Sequence, residues 1–417
     1  MPRRAIILAS AALLLLAAWA IADDLEDTFY IPLDHPAIQY DQQPANDPVA
    51  LLNKRLQAGQ VKLTASPNGL GYLPAVLKEL GINVDSQMLV FSKTSTQNDK
   101  ISPRTPRAIY FNDDVSVGFV RDSDVLELTA LDPRQGVRNY VLVNSNKPEF
   151  ARSNACLNCH QGAITLGVPG LMVSSVHPSS ESRSMHGNSY VTDGRTPFKN
   201  RWGGWYVTGT HGVQIHQGNN VALVDPVHPG PASTIDTQNV TSLAGKFDTT
   251  KYLAATSDIV ALMTLEHQTR MTNLLIRIGW DARIAAHDHK TESINWEIDE
   301  MVKYMLFADE ELLTAPVKGV STFTQTFPQR GPRDHQGRSL RDFDLKTRLF
   351  RYPLSYMIYS PAFDGMPDAV RTQIYQRLYD ILTGKEHTRL TPEDRQSILE
   401  IVRETKKNLP AYWANNG

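Results

Sequence analysis

The cysteine content sets the first limit on how this chain folds. Only two cysteines occur among its 417 residues, Cys156 and Cys159, and they lie three positions apart. An exported protein that relied on disulfides would carry more cysteines at wider spacing. The chain must therefore be held together by a hydrophobic core, and its length and its apolar content of 41% are sufficient for one.

The charge of the chain argues against a nucleic-acid partner. The formal net charge is −2, and removal of the two positive charges of Arg3 and Arg4 with a cleaved leader would bring it to about −4. Binding to a phosphate backbone needs a strong basic excess, and no segment of the sequence has one.

The N-terminus has the pattern of a secretory signal. A short basic start is followed by the apolar run Ala5 to Trp19 and by Ala20-Ile21-Ala22, a small-x-small cleavage site. We therefore predict a signal peptide over residues 1–22 and export to the periplasm or another extracytoplasmic compartment. The alternative is an uncleaved membrane anchor, because the apolar run approaches the length of a bilayer span. Membrane association is expected only in that case.

Hydrophobic periodicity predicts an α+β fold in three parts. Residues 23–147 form an N-terminal unit with a small antiparallel β unit, residues 148–250 form a loop-rich segment, and residues 251–417 form a helical C-terminal region. The predicted strands are 87–92, 108–112, 115–120, 125–131, 140–144 and a possible strand at 205–210, and the predicted helices are 72–80, 259–278, 292–308, 368–382 and 392–407.

The two cysteines belong to the motif Cys156-Leu157-Asn158-Cys159-His160, a C-x-x-C-H sequence. On a helical turn, residues three apart share a face and the next residue lies alongside them. Two thiols and an imidazole so placed suit thioether attachment of a haem, with the imidazole as an axial iron ligand. Residues 149–155 allow a short helix that leads into the motif. The alternatives are a thioredoxin-like redox pair, half of a zinc site and a small disulfide. The first lacks a βαβ pattern around it, and the second lacks another cysteine pair.

With its flanking residues from Ser153 to Gly162, the motif resembles the c-type cytochromes. The resemblance extends in part to Gly167-Val-Pro-Gly-Leu171 and implies one covalent haem c, thioethers at Cys156 and Cys159, and His160 on the iron. It does not imply a compact cytochrome c fold for the rest of the chain. On the stretch from Arg201 to Gly212, the whole chain also resembles certain large exported single-haem proteins, and this resemblance implies no particular activity.

The residue on the opposite side of the iron is the open question for function, and His267 and Met172 are the main candidates. His267 lies in an apolar stripe of the predicted 259–278 helix, between Met263 and Met271. The alternative for it is a core histidine bonded to a backbone carbonyl, and the neighbouring Glu266 is expected to be solvated. Met172 fits the cytochrome resemblance, in which a downstream methionine completes the coordination.

Further candidates are spread over residues 148–250. The other possible ligands are His177, Met185, His186, His211 and His216, with ordinary surface histidines and core methionines as the alternatives. On the predicted 259–278 helix, Met263 and Met271 are alternative sulfur ligands to His267. His211 and His216 need an intervening turn in order to converge. Arg201, next to Trp202, Trp205 and Tyr206, is a candidate partner for a haem propionate; an aromatic core at a tight turn is the alternative.

These features predict an exported redox protein that transfers electrons through one haem and exchanges them with a redox partner protein. A haem enzyme of peroxidase or oxygenase type, with an open or exchangeable distal position, is the alternative. The length of the chain favours this enzyme alternative, because binding one haem needs only about a hundred residues and the mature chain has roughly four times that. A third possibility, a module that senses a gas or docks onto a larger complex, has no sequence feature in its favour.

Overall fold

A computed structural model describes residues 30–176, 189–221, 237–290 and 294–414. The predicted signal peptide, residues 1–22, lies outside these residues. Within the described ranges, no helix has the length and apolar character needed to cross a membrane.

A seven-stranded antiparallel sheet, flanked by helices, makes the fold a mixed one. All five strands predicted before residue 148 are present, because their β-branched and aromatic residues alternate between the two faces of the sheet. Two further strands complete the sheet, in the order β6-β5-β4-β3-β2-β1-β9. Its strands are β1 Met88–Val90, β2 Arg107–Phe111, β3 Val115–Phe119, β4 Val125–Asp132, β5 Gly136–Val143, β6 Phe150–Arg152 and β9 Trp205–Tyr206.

Two two-stranded sheets lie outside this main sheet. One pairs β7 Ser174–Val176 with β8 Ser189–Val191, and the other pairs β10 Gly209–Thr210 with β11 Lys318–Gly319. The predicted strand at 205–210 is thus divided between β9 and β10, which belong to different sheets.

Nine α-helices are present in the described residues, most of them in the C-terminal half. They are α1 Pro48–Gln57, α2 Leu73–Glu79, α3 Leu157–His160, α4 Ile259–His287, α5 Asn295–Met305, α6 Phe323–Gln329, α7 Pro361–Asp364, α8 Asp368–Leu382 and α9 Pro392–Thr405. The predicted helices correspond to α2, α4, α5, α8 and α9. Helix α1 was not predicted, because four prolines made its surroundings look irregular. It begins at Pro48, a position where proline is tolerated, and Asp47 caps it.

The residues that lead into the C-x-x-C-H motif differ from the prediction. The expected short helix over residues 149–155 is wrong, because Phe150 to Arg152 pair with β5 as the edge strand β6. Phe150 is buried in the core on one face of the sheet. Cross-strand pairing and this burial outweigh the weak local preference for a helix.

The two faces of the sheet contribute to two hydrophobic cores. One face packs on α1 and α2, with Leu73, Val76 and Tyr110 among the buried residues. The other face supplies Phe111 and Leu131 to the larger core, which also contains α4. Helix α4 is therefore packed between the sheet and the C-terminal helices.

Asp258 determines where α4 begins and joins it to a distant loop. Its Oδ1 atom accepts from the amides of Val260 and Ala261, at 2.8 and 3.3 Å, and its Oδ2 atom accepts from those of Val320 and Ser321, both at 2.8 Å. Asp258 is fully buried. Its carboxylate thus satisfies four backbone donors, two of which lie about sixty residues further along the chain.

We expect Asp258→Ala to lower the free energy of unfolding by about 3 kcal/mol, because it removes a helix cap and also leaves the half-buried amides of Val320 and Ser321 unpaired. Urea denaturation measures this change. Thr391→Ala is the matched control, since Thr391 caps α9 at an exposed position through the Asp394 amide alone. The control should lose about 1 kcal/mol. Equal losses in both variants would contradict a tertiary role for Asp258.

Candidate functional site

The C-x-x-C-H motif forms one tight turn directly after the edge strand β6. The Ser153 amide donates to the Asn139 carbonyl of β5 at 2.9 Å, which continues the sheet pairing up to the motif. A 3-10 turn over Asn154–Cys156 then runs into α3. Both cysteines are free thiols; Cys156 is half-buried and Cys159 is exposed. Leu157, between them, is buried in the core and anchors the turn.

The imidazole of His160 is oriented by a backbone carbonyl. Its Nδ1 atom lies 2.9 Å from the Gly170 carbonyl oxygen. A carbonyl can only accept a hydrogen bond, so Nδ1 carries the proton and Nε2 keeps its lone pair. Burial lowers the pKa of His160, which favours this neutral form.

Helix α4 holds the carbonyl that orients His160. The Asn273 side chain accepts from the Leu171 amide and donates to the Leu171 carbonyl, both at 2.8 Å. The Gly170 amide in turn donates to the His160 carbonyl at 2.8 Å. Gly170 is required by close approach, since a Cβ atom there would lie 2.3 Å from Asn273 Oδ1. The Gly167-to-Leu171 stretch therefore connects the motif rigidly to the core helix.

One face of the sheet beside the motif is polar and incompletely paired. Thr129 and Asn139 are cross-strand partners on this face. Asn139 is only 3% exposed, yet neither its Oδ1 nor its Nδ2 atom has a hydrogen-bond partner among the described residues, and the same holds for Thr129 Oγ1. Buried amides without partners are rare, because each costs about 1–3 kcal/mol. This face of the sheet therefore carries polar groups that the described residues leave unpaired.

A cavity of about 380 Å³ lies next to Cys156. Strands β4 and β5 contribute Glu127 and Val141 to its wall, the turn before the motif contributes Ser153 and Ala155, and the loop of residues 96–100 closes the other side. Its volume lies within the range of small-molecule and cofactor sites, which is about 300–1,000 Å³. A group bound to the Cys156 sulfur would thus have room over this face of the sheet.

An ion pair stands on the same face of the sheet. Arg107 Nη2 lies 2.8 Å from Glu127 Oε2, and Thr96 Oγ1 donates to Glu127 Oε1 at 2.7 Å. Burial acts to raise the pKa of Glu127, but the Arg107 charge and the hydrogen bonds from Thr96 and its neighbours outweigh it and hold that pKa below its usual value. Glu127 is therefore ionised at neutral pH. After burial and the Gly170 hydrogen bond, the Arg107 charge lowers the pKa of His160 and the Glu127 charge raises it.

Comparison with family models, with curated proteins and with solved structures finds no match to this chain. The site has to be understood from its own residues.

His267 is a buried core histidine in this structure. Its Nε2 atom lies 2.8 Å from the Ser355 hydroxyl, and its ring stacks on Phe307 and Tyr304 at centroid distances of 4.5 and 5.3 Å. Burial lowers its pKa to about 3. A distal ligand role for His267 stays a prediction, and one through Nε2 would require the loss of the Ser355 contact. The partner is a serine hydroxyl rather than the backbone carbonyl considered from the sequence.

Arg201 and Glu266 form a buried pair. Arg201 Nη1 lies 3.2 Å from Glu266 Oε2, and its other nitrogens donate to the carbonyls of Thr196 and Gly194. The expectation that Glu266 is solvated is wrong, because it is 0% exposed. Burial raises the pKa of Glu266 to about 7, against the effect of the Arg201 charge. A propionate partner role for Arg201 stays a prediction, and its guanidinium already has these three acceptors.

The remaining candidates differ in how the structure places them. His211 and His216 are both buried rather than at the surface, with ring centroids 4.7 Å apart, because Gly212 supplies the required turn at a φ of +62°. Met172 is half-buried and directly follows the clamped Leu171. His177, Met185 and His186 lie outside the described residues.

Four residues that shape the site were missed from the sequence. They are Arg107, Glu127, Asn139 and Asn273. The alternation in β4, where Glu127 and Thr129 interrupt an otherwise apolar strand, is the signal that could have identified a polar face. No local pattern marks Asn273 as the clamp on Leu171, since the two residues are a hundred positions apart.

We expect Gly170→Ala to lower the free energy of unfolding by about 1–3 kcal/mol, because the added methyl group would collide with Asn273 and move the carbonyl that orients His160. Urea denaturation measures the change. Gly194→Ala is the matched control, because a Cβ atom at Gly194 would meet open space, and we expect a change of less than about 0.5 kcal/mol. Equal stability of the two variants would show that the Gly170 contact is unimportant.

The pH dependence of stability should report the burial of Glu266. In the folded protein its pKa is raised from 4.5 to about 7. The contribution of Glu266 to the free energy of unfolding is therefore fully present below its pKa in the unfolded chain, and it is lost as the pH rises through about 7. Glu266→Gln removes this loss. Between about pH 5 and about pH 8, we expect the free energy of unfolding of the variant to rise relative to that of the native protein by up to roughly 3 kcal/mol. Urea titrations at both pH values test this, with exposed Glu393→Gln as control. A constant difference would contradict the assignment.

Proposed function

We propose that this chain carries one haem c, attached through Cys156 and Cys159, with His160 as an axial iron ligand. The observation that carries the proposal is the hydrogen bond from His160 Nδ1 to the Gly170 carbonyl. Metal-binding histidines need such a partner on the other ring nitrogen, because it fixes the tautomer and the direction of the free lone pair. The thioredoxin and disulfide alternatives give no role to this arrangement of His160, and the zinc alternative lacks another cysteine pair.

Covalent attachment needs no reagent beyond the haem and two reduced thiols. Each S–H group adds across one vinyl C=C bond, so that a C–S bond forms and the proton goes to the other vinyl carbon. Both thiols are free, and the turn of α3 presents them next to each other and next to His160. The cavity beside Cys156 leaves open space next to its sulfur.

Electron transfer is the function that this geometry supports best. Haem c supplies an iron centre that exchanges single electrons. Cys159 is exposed and Cys156 lines an open cavity, so the thioether edge of the haem would be accessible to a redox partner protein. In this proposal residues 148–250 form the haem-binding segment, between the β unit of residues 23–147 and the helical region of residues 251–417. The predicted leader would direct the chain to the periplasm or another extracytoplasmic compartment.

A haem enzyme is the second candidate function. One observation favours it: Glu127, which is paired with Arg107, lines the cavity that Cys156 also lines. Fixed charges near a haem iron are of the type that assist reactions of small oxygen-containing ligands.

Acidified organic solvent should leave the haem on the polypeptide of the purified holoprotein, because thioether bonds survive such an extraction. Intact-mass measurement should show the chain plus one haem. Cys156→Ser and Cys159→Ser should each weaken retention, and the double variant should release all pigment. Asn158→Ala, at the exposed position between the cysteines, is the control and should retain the haem. Complete extraction of pigment from the native protein, or its absence, would overturn the proposal.

A further inference from the structure

We infer that His35, His287 and Asp288 together bind one Zn²⁺ ion at the C-terminal end of helix α4, with a water molecule as the fourth ligand. The ligand atoms of these three side chains all lie within 4.8 Å of one another. The ion would join the segment around His35 to the end of the core helix. The inference does not rest on the proposed haem, because the three ligands lie outside residues 148–250.

The distances within this group match those around a tetrahedral ion. Asp288 Oδ1 lies 3.4 Å from His35 Nε2 and 2.9 Å from His287 Nδ1. Zinc binds imidazole nitrogen and carboxylate oxygen at about 2.0–2.2 Å, so two ligand atoms on one tetrahedral ion are about 3.3 Å apart. An ion placed between the three side chains would therefore need only small shifts of them.

The segment that carries His35 is fixed on both sides of this residue. The Ile31 amide donates to the Gly167 carbonyl at 3.1 Å, and the amides of Ile38 and Gln39 donate to the His35 carbonyl at 2.8 and 2.9 Å. Ile31 and Ile38 are both buried in the larger core. His35 thus stands in a tight turn between two buried anchors. A ligand held in this way loses little freedom when it binds an ion.

The other two ligands come from the end of the longest helix in the described residues. His287 is the last residue of α4, and Asp288 caps the helix with its amide donating to the Ile284 carbonyl at 2.9 Å. The free carbonyl groups at a helix C-terminus carry partial negative charge, which favours a cation there. The electrostatic field of α4 therefore has the correct sign for a metal ion at this position.

Two contacts in the structure would change when the ion binds. His35 Nδ1 accepts from the Ala37 amide at 3.2 Å, so the neutral ring carries its proton on Nε2, towards Asp288. Zn²⁺ takes the place of that proton, the neutral ring then carries its proton on Nδ1, and the Ala37 contact is lost. Lys290 Nζ, at an exposed position, lies 3.7 Å from Asp288 Oδ2. One weak hydrogen bond and one exposed ion pair are thus exchanged for three coordination bonds.

The chemistry of the three donors selects the class of ion. Imidazole nitrogen suits zinc and its neighbours among the transition metals. Ca²⁺ and Mg²⁺ prefer about six or more oxygen ligands, which one carboxylate does not provide. Three protein ligands with the spacing of a tetrahedron leave one position for water, an arrangement that zinc adopts in proteins.

The test is isothermal titration of Zn²⁺ into the full mature chain, purified without an affinity tag, treated with EDTA and dialysed. Alkylation beforehand blocks any free thiol, so that Cys156 and Cys159 cannot bind the ion if they carry no haem. We expect one Zn²⁺ per chain and no binding of Mg²⁺ under the same conditions. His35→Ala, His287→Ala and Asp288→Asn should each weaken Zn²⁺ binding at least tenfold, because each removes one ligand.

His335→Ala is the matched control. His335 Nδ1 lies 2.6 Å from Glu404 Oε1, an exposed imidazole–carboxylate pair like that of His287 and Asp288, and no third ligand joins it in the described part of the chain. This variant should bind Zn²⁺ as the native protein does. As a second measurement, Zn²⁺ should raise the midpoint of thermal unfolding of the native protein and of this control more than that of the three site variants.

The outcomes separate this inference from the proposed function. Failure of the native protein to bind Zn²⁺ at millimolar concentration would overturn the inference, as would equal affinity in the native protein and any folded site variant. His287→Ala changes an exposed side chain and keeps the test valid if the half-buried His35 variant does not fold. Weaker binding in His335→Ala would place the ion elsewhere and also overturn the inference. None of these results bears on the covalent haem, which solvent extraction tests.

Discussion

The hydrogen bond between the His160 ring and the Gly170 carbonyl is the contact on which the site depends. It determines the tautomer of His160 and the direction of its free nitrogen. The carbonyl is held in place because Asn273 grips both backbone groups of the next residue. These contacts fix a short loop to a buried helix. The loop in turn holds the imidazole next to the two thiols in one orientation.

Helix α4 connects the parts of the molecule through its buried polar residues. Gln268 donates to the Asn112 carbonyl at the end of β2 and accepts from Tyr356 in the C-terminal region, both at 2.7 Å. Glu266 pairs with Arg201, and His267 with Ser355. Where the helix is buried, such pairs matter because each unpaired polar group would cost about 1–3 kcal/mol. The apolar residues of α4 provide burial, and these polar pairs specify which segments it contacts.

Local patterns predicted the elements of this fold better than the contacts between them. The strands before residue 148 and helices α8 and α9 lie where periodicity and capping place them. Helix α1 and strand β6 were missed, because their formation depends on the Asp47 cap, which Tyr140 supports, and on pairing with β5. One apolar stripe on α4 predicted that His267 faces the core and that Glu266 faces solvent. The prediction for Glu266 is wrong, because this part of α4 is covered on both sides. Periodicity identifies one buried face and cannot reveal a second covering layer.

By itself, the sequence determined that two thiols and an imidazole share one helical turn, since that depends only on residue spacing along a backbone of fixed geometry. It also determined most of the strands and helices, because these follow from local alternation. Only the tertiary structure decided that Gly170 orients His160, that Asn273 holds Gly170, and that Arg107, Glu127 and Asn139 lie on the sheet beside Cys156. These residues are separated by up to about a hundred positions along the chain, and side chains so far apart meet only through the packing of the whole fold.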